Sequence, residues 1–122
     1  MSETLDLLLK SDITNIREKK IKVKRLSTKE KPFVLTLRSL NYNKVAEIKA
    51  LTGDDTPLHI MMAGVVDPDF KKSQDLMDKF QALTPVELIK KIFLPGEIED
   101  ISREIEKLSG YRETTIEELK KK

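Results

Sequence analysis

The sequence predicts an α+β domain with a small antiparallel sheet near its start and a helical second half. Two runs of strand-forming residues, 19–26 and 33–40, are separated by a loop of hairpin length. In the second half, apolar residues instead recur every three or four positions, between residues that start and stop helices. The chain contains no internal repeat and no long flexible linker. Residues 1–122 are therefore expected to form one domain, sheet-rich to about residue 66 and helical from about residue 67.

A short helix is expected to precede the β-hairpin. Ser2 can cap a helix over about Glu3–Lys10, because its hydroxyl can accept a backbone N–H bond from the first turn. The apolar side of this helix would hold Leu5, Leu8 and Leu9. In the first strand of the hairpin, apolar residues alternate with lysines, which is typical of a half-buried strand.

A second helix and a third strand are expected after the hairpin. Asn41 or Ser39 can cap the helix, which would end near Gly53. The apolar segment 58–66 is compatible with either a strand or a buried helix. Its glycine, its paired valines and the prolines on either side of it favour a strand.

The second half is predicted to form four helices separated by clear start and stop signals. The first covers about Ser73–Leu83. Its inward side chains are expected to be Leu76, Met77, Phe80 and Leu83. Thr84 and Glu87 form a capping box for the next helix, with proline at its first position. Pro95-Gly96 is expected to end that helix, because proline disfavours helical geometry before it and glycine turns at low cost.

The following helix has an apolar stripe at spacings of three, four and three residues. The stripe consists of Ile98, Ile101, Ile105 and Leu108. It is either the core face of the helix or a surface that receives a partner helix, and both can hold if the packed face leaves an apolar edge. These four residues are therefore the candidate partner-binding site. Gly110 can provide a left-handed cap with Tyr111 folded back on the last turn, and a short final helix would begin near Thr114.

Composition favours a cytoplasmic protein that does not associate with membranes. The absence of cysteine excludes disulfides and thiolate metal sites. The longest apolar runs fall far short of the roughly 20 residues that span a bilayer. The first residues place acids before leucines, unlike the positively charged start of a secretory signal.

Positive charge is concentrated in residues 17–31, which hold eight basic and two acidic side chains in a chain of net charge +2. One interpretation is the solvated face of a strand, since lysines alternate there with Ile21 and Val23. The other is a surface for phosphate groups or an acidic partner, which would make the chain a small basic nucleic-acid-binding or regulatory protein acting through residues 17–31. The block lacks the interleaved aromatic residues that stack on bases, which argues against nucleic acid as a partner.

No catalytic, metal or cofactor site is recognisable, and an enzyme is not expected. His59 is the single histidine and has no partners at the spacing of a metal site or catalytic triad. Asp67 and Asp69 lie near a turn, where acids commonly bond their own backbone, and do not have the spacing of a calcium loop. The four glycines are scattered, so no glycine-rich phosphate loop exists.

The order of the turn and cap motifs resembles the XkdN-like tail assembly chaperones of phages and prophages with long contractile tails. The matching segments are GVVDPDF (64–70), ALTPVELIKKIFLPGEI (82–98) and EIEKLSGY (104–111). They cover nearly the whole second half of the chain. Each motif alone is a common turn or cap signature, whereas their order and spacing together are specific.

This resemblance implies a non-enzymatic role in virion assembly. Chaperones of this family are thought to coat the tape measure protein, keep it soluble and recruit tail tube proteins that polymerise around it. The expected partners are therefore the tape measure protein and the tail tube protein, with self-association also possible. The family resemblance implies action in the host cytoplasm and absence from the mature virion.

Overall fold

The computed structural model describes residues 2–12, 16–111 and 114–119. Within these residues the chain forms six α-helices and a three-stranded antiparallel sheet, which confirms the α+β class. The helices are α1 (Glu3–Lys10), α2 (Tyr42–Thr52), α3 (Thr56–Gly64), α4 (Gln74–Phe80), α5 (Pro85–Ile92) and α6 (Pro95–Leu108). The strands are β1 (Glu18–Lys22), β2 (Val34–Arg38) and β3 (Val65–Asp67). Short 3₁₀ turns cover Lys24–Leu26, Gly53–Asp55 and Phe70–Lys72.

The predicted hairpin is confirmed, and β2 is the central strand of the sheet. Its partners on the two sides are β1 and β3, both antiparallel to it. Leu35 and Leu37 of β2 are fully buried and alternate with less buried residues, so one face of the sheet lies on the core. The first strand is shorter than predicted, because the chain turns into a 3₁₀ helix after Val23.

The predicted strand over 58–66 is wrong, because α3 extends to Gly64 and only Val65 and Val66 of this segment belong to β3. Most of the helix is buried, so its apolar residues do not show the one-sided spacing that identifies a surface helix. Pro57 lies in the first turn, where the missing N–H group costs nothing. Three helices therefore precede residue 66, and the first half is not mainly sheet.

Helix α3 packs closely against α6 at Gly64. A Cβ atom at this position would lie 2.6 Å from both Cδ1 and Cγ2 of Ile105, which is fully buried. Contacts this short do not occur between real side chains, so glycine is needed for the two helices to approach. The contact fixes which side of α6 faces the core.

The junction between α5 and α6 differs from the prediction. Thr84 caps α5 as predicted, with its Oγ1 accepting the Glu87 N–H at 3.2 Å, whereas the Glu87 carboxylate accepts the N–H of Leu83 at 3.0 Å in place of the N–H of Thr84. However, α5 ends at Ile92 before the Pro95-Gly96 pair is reached, and these two residues form the first turn of α6. Proline suits this turn because its fixed φ is helical and no N–H bond is lost.

The end of α6 is a Schellman motif, as the sequence predicts. Gly110 has a φ of +98°, and its N–H donates to the Lys107 carbonyl at 3.0 Å. The Tyr111 N–H donates to the Glu106 carbonyl at 2.9 Å, which folds the chain back over the last turn.

Two other predicted helices are shorter or absent. Helix α4 ends at Phe80, because Gln81 adopts the left-handed conformation, and Leu83 is 87% exposed instead of facing inward. The predicted final helix is wrong for residues 114–119, which have no regular secondary structure, and residues 120–122 lie outside the described residues.

Candidate partner-binding site

The structure places the predicted partner-binding stripe of α6 in the hydrophobic core. Its members Ile98, Ile101, Ile105 and Leu108 are all buried. Their side chains therefore contact their own chain in this conformation. Direct binding of a partner by the whole stripe stays a prediction. Ile101 also lines a surface cleft, so one edge of the stripe is close to solvent.

This cleft, the β1–α6 cleft, lies between the edge strand β1 with its following turn and the first half of α6. It has a volume of about 470 Å³. Its apolar lining residues are Ile21, Val23, Leu94 and Ile101. Its charged lining residues are Lys22, Lys24 and Arg25 on one side and Glu97, Asp100 and Glu104 on the other.

Two ion pairs connect the walls of the β1–α6 cleft. Arg25 binds Glu97 through two parallel bonds, from Nη2 to Oε1 at 2.9 Å and from Nε to Oε2 at 3.1 Å. Arg25 Nη2 also donates to the Ile92 carbonyl at 2.6 Å, next to the end of α5. Lys19 pairs with Glu104 further along α6. The paired planar groups of Arg25 and Glu97 fix the orientation of the turn relative to α6.

These contacts stabilise the charged forms of two carboxylates. The hydrogen bond from Arg25 lowers the pKa of Glu97, and the N–H of Leu94, bonded at 2.8 Å, lowers it further. The hydrogen bond from Lys19 lowers the pKa of Glu104, and Lys107 at 3.2 Å adds to this effect. Both acids are therefore ionised at neutral pH and already have cationic partners.

The lysines of the β1–α6 cleft are less well neutralised than its acids. Lys22 and Lys24 are exposed, and within the described residues neither forms an ion pair. Asp100 has only a long contact of 3.8 Å to Arg103 on its own helix. The β1–α6 cleft thus has an apolar floor and a basic wall along β1.

Helix α1 is a second apolar surface. The exposed fractions of Leu5, Leu8 and Leu9 are 43%, 61% and 69%, and none of them belongs to the core. Ser2 caps the helix as predicted, by accepting the Leu5 N–H at 3.1 Å. The predicted apolar side therefore exists, but none of the residues that the structure describes buries it.

Sequence reasoning missed the β1–α6 cleft, because its walls are far apart in the chain. Residues 21–25 and 94–104 meet only in the folded molecule. The alternation of Ile21 and Val23 with lysines did predict which side of β1 is buried. No local pattern indicates that Arg25 and Glu97 would pair.

The residues that were considered for catalysis or metal binding are His59, Asp67 and Asp69. In the folded chain, His59 lies beside apolar side chains and Asp69 caps a turn. His59 lies half-buried on α3, beside Met62 and Leu51 in a shallow depression. The Asp69 carboxylate accepts the Lys71 N–H at 3.1 Å and caps a 3₁₀ turn. Among residues 2–12, 16–111 and 114–119, no group of three or more acidic or histidine side chains could hold a metal ion. In the same part of the chain, no helix has the length and apolar character to span a membrane.

The molecule is a small α+β domain whose notable surface features, a groove and an exposed leucine helix, are of the kind that bind other proteins. The chain belongs to the phage XkdN-like tail assembly chaperone family, whose model matches residues 5–121. This match confirms the resemblance seen in the motifs of the second half.

A solved structure shows the same fold. The crystal structure of the protein yqbn is 18% identical and superposes with a TM-score of 0.69, covering 86% of this chain and 94% of that one. No curated protein matches the sequence at a significant level.

Proposed function

We propose that this chain binds the tape measure protein of a long-tailed phage, keeps it soluble and helps to recruit tail tube proteins. It would act in the cytoplasm of the bacterial host and leave before the virion is complete. The observation that carries this proposal is the match of residues 5–121 to a family of tail assembly chaperones. The proposed role needs no catalytic group and no cofactor.

The β1–α6 cleft is the proposed site for a helix of the tape measure protein. A tape measure is a very long, largely helical chain, and its apolar stripes would self-associate if they stayed exposed. An amphipathic helix could place its apolar side on Ile21 and Leu94 while its acidic residues face Lys22. Each such contact is small, so many copies would bind one tape measure and tube subunits could displace them.

Nucleic-acid binding through residues 17–31 is less well supported. Two of the basic side chains in this block, Lys19 and Arg25, form ion pairs with α6. They are therefore less available to phosphate groups than the sequence alone suggests.

Coexpression with tape measure fragments tests the proposed function. The fragments are expected to stay soluble with the wild-type chain and to aggregate without it. Leu94→Asp places a charge at the mouth of the cleft and should abolish the effect. Leu94 is 52% exposed and is the N-cap of α6, a position where aspartate is favourable, so this variant should stay folded.

Leu83→Asp is the matched control, because Leu83 is 87% exposed and does not line the cleft. It should solubilise the fragments as well as the wild type does. Fragments that aggregate with the wild-type chain would contradict the proposed function. Equal activity of Leu94→Asp and Leu83→Asp would instead show that the tape measure binds another surface.

A further inference from the structure

We propose that the free edge of β1 binds an extended segment of a partner protein, which adds to the sheet as a fourth strand. The segment alternates apolar and acidic residues and runs antiparallel to β1. This binding mode goes beyond the proposed function, in which a tape measure helix takes the β1–α6 cleft.

The backbone of β1 offers hydrogen-bonding groups that β2 does not bind. Within the described residues β1 is an edge strand, with β2 on one side only. The Val23 N–H donates to the Phe33 carbonyl at 2.9 Å, so the backbone of Val23 faces β2. Because every second residue of an antiparallel strand makes such bonds, Ile21 also faces β2, whereas the N–H and C=O groups of Lys20 and Lys22 point away from it. A strand added on this side would therefore find unused donors and acceptors.

The side chains on the outer face of this edge carry positive charge without a neighbouring acid. Lys20 and Lys22 alternate with Ile21, which faces the core, so both lysines lie on the outer face of the sheet. Their neighbours across the hairpin are the uncharged residues Thr36 and Val34. In the part of the chain that the structure describes, neither lysine forms an ion pair.

The acids around β1 are compensated or distant. Glu18 lies opposite Arg38 of β2, and Asp67 lies on β3, two strands away from β1. The acids of α6 lie on the other face of β1, where Lys19 and Arg25 already pair with two of them. Since opposite charges on neighbouring strands attract, an acidic residue is the favourable neighbour for each of the two outer lysines.

The β1–α6 cleft provides an apolar surface for the other face of the added strand. Every second side chain of that strand would point to the core side of the sheet and towards the cleft. The accessible apolar residues there are Ile21, which is half-buried, and Leu94, which is 52% exposed. Main-chain bonds together with pockets for alternate side chains are the usual means by which a sheet edge binds an extended peptide.

Antiparallel pairing determines which residues of the segment bond to β1. Residues directly opposite Lys20 and Lys22 share their outer face and point their own backbone groups towards β1. The acidic residues of the segment therefore form the main-chain bonds. Its apolar residues face the cleft, and their N–H groups point away from β1.

A pair of N-methylated peptides tests strand addition. The probe is a fluorescently labelled peptide of alternating valine and glutamate, long enough to span the five residues of β1. With methyl groups on the valine nitrogens it should bind the full chain, measured by fluorescence anisotropy. Moving the methyl groups to the glutamate nitrogens should weaken binding by about tenfold or more, because these N–H groups face β1. Both peptides have the same side chains and the same charge.

Lys20→Pro and Lys20→Ala separate the backbone of the edge from its charge. Both variants lose the ammonium group, but only proline also removes the N–H that points away from β2. Proline is tolerated at such a position of an edge strand, so both variants should unfold at similar urea concentrations. Lys20→Pro should bind the valine-methylated peptide several-fold more weakly than Lys20→Ala does.

A charge reversal at the edge tests the role of the outer lysines. Lys20→Glu/Lys22→Glu should weaken peptide binding by about tenfold or more. Lys29→Glu/Lys31→Glu makes the same change of charge in the loop before β2 and should have a smaller effect.

Three results would overturn strand addition: no binding of either peptide, equal binding of both, and equal effects of the two charge reversals. A wild type that is dimeric in sedimentation equilibrium, with a monomeric Lys20→Pro, would also overturn it, because a second copy would then take the edge. None of these results affects whether tape measure fragments stay soluble in coexpression, so the proposed function is tested separately.

Discussion

At Gly64 the contact between α3 and α6 is so close that one added methyl group has no room. The Cβ of an alanine would lie 2.6 Å from both Cδ1 and Cγ2 of Ile105, whose side chain is fully buried. Gly64→Ala is therefore expected to lower the free energy of unfolding by about 1–3 kcal/mol, the usual cost of overpacking a core. Urea unfolding followed by circular dichroism would measure this loss.

Gly96→Ala is the matched control, because an added Cβ at Gly96 meets no atom within 4 Å. Gly96 also lies in a helix, where alanine is favoured over glycine by up to about 1 kcal/mol. This variant should be as stable as the wild type or slightly more stable. Equal destabilisation by both substitutions would contradict the steric explanation.

At the level of single elements, the starts of α1, α2 and α5 followed from the sequence, whereas α3 did not. Ser2, Asn41 and Thr84 cap α1, α2 and α5 as predicted, because a cap depends only on residues within one turn. The segment 58–66 is apolar at nearly every position, including the half-buried Met62 and the exposed Val66, so its pattern has no polar side that would reveal a helical period. Its assignment depended on packing against α6, which is far away in the chain.

Arg25, in the 3₁₀ turn after β1, forms an ion pair with Glu97 in the first turn of α6. This ion pair should make the free energy of unfolding depend on pH. The hydrogen bond from Arg25 lowers the pKa of Glu97 below its ordinary value of 4.5. Because the unfolded chain then binds this proton more readily than the folded one, stability rises with pH. The contribution is fully present above about pH 4.5 and is lost as the pH falls through the lower folded pKa. Melting temperatures between pH 2.5 and 7, estimated as the range that brackets this titration, would show it.

Glu97→Gln isolates this contribution, because glutamine keeps an oxygen that can accept the Leu94 N–H but removes the charge facing Arg25. The variant should melt below the wild type at pH 7, and the difference should disappear at the acidic end of the titration. Glu99→Gln, at an exposed position on the same helix, controls for the loss of a charge in α6. A difference between Glu97→Gln and wild type that does not change with pH would contradict the ion-pair explanation.

For the whole molecule, the sequence indicated the family and the fold class but did not distinguish packed apolar surfaces from uncovered ones. The predicted stripe on α6 was chosen by its apolar spacing, and the same spacing is what places Ile105 in the core. The exposed leucines of α1 have a similar pattern, yet nothing in the described residues covers them. Periodicity shows which side of a helix is apolar, and only the tertiary packing shows which apolar sides stay uncovered.

A peptide from an amphipathic tape measure helix should bind the isolated chain if the β1–α6 cleft is its site. Leu94→Asp places a charge at the mouth of the cleft and should weaken this binding, measured by the fluorescence anisotropy of a labelled peptide. Leu83→Asp lies outside the cleft and should bind like the wild type. Equal affinities of all three proteins would show that the helix binds another surface of the molecule.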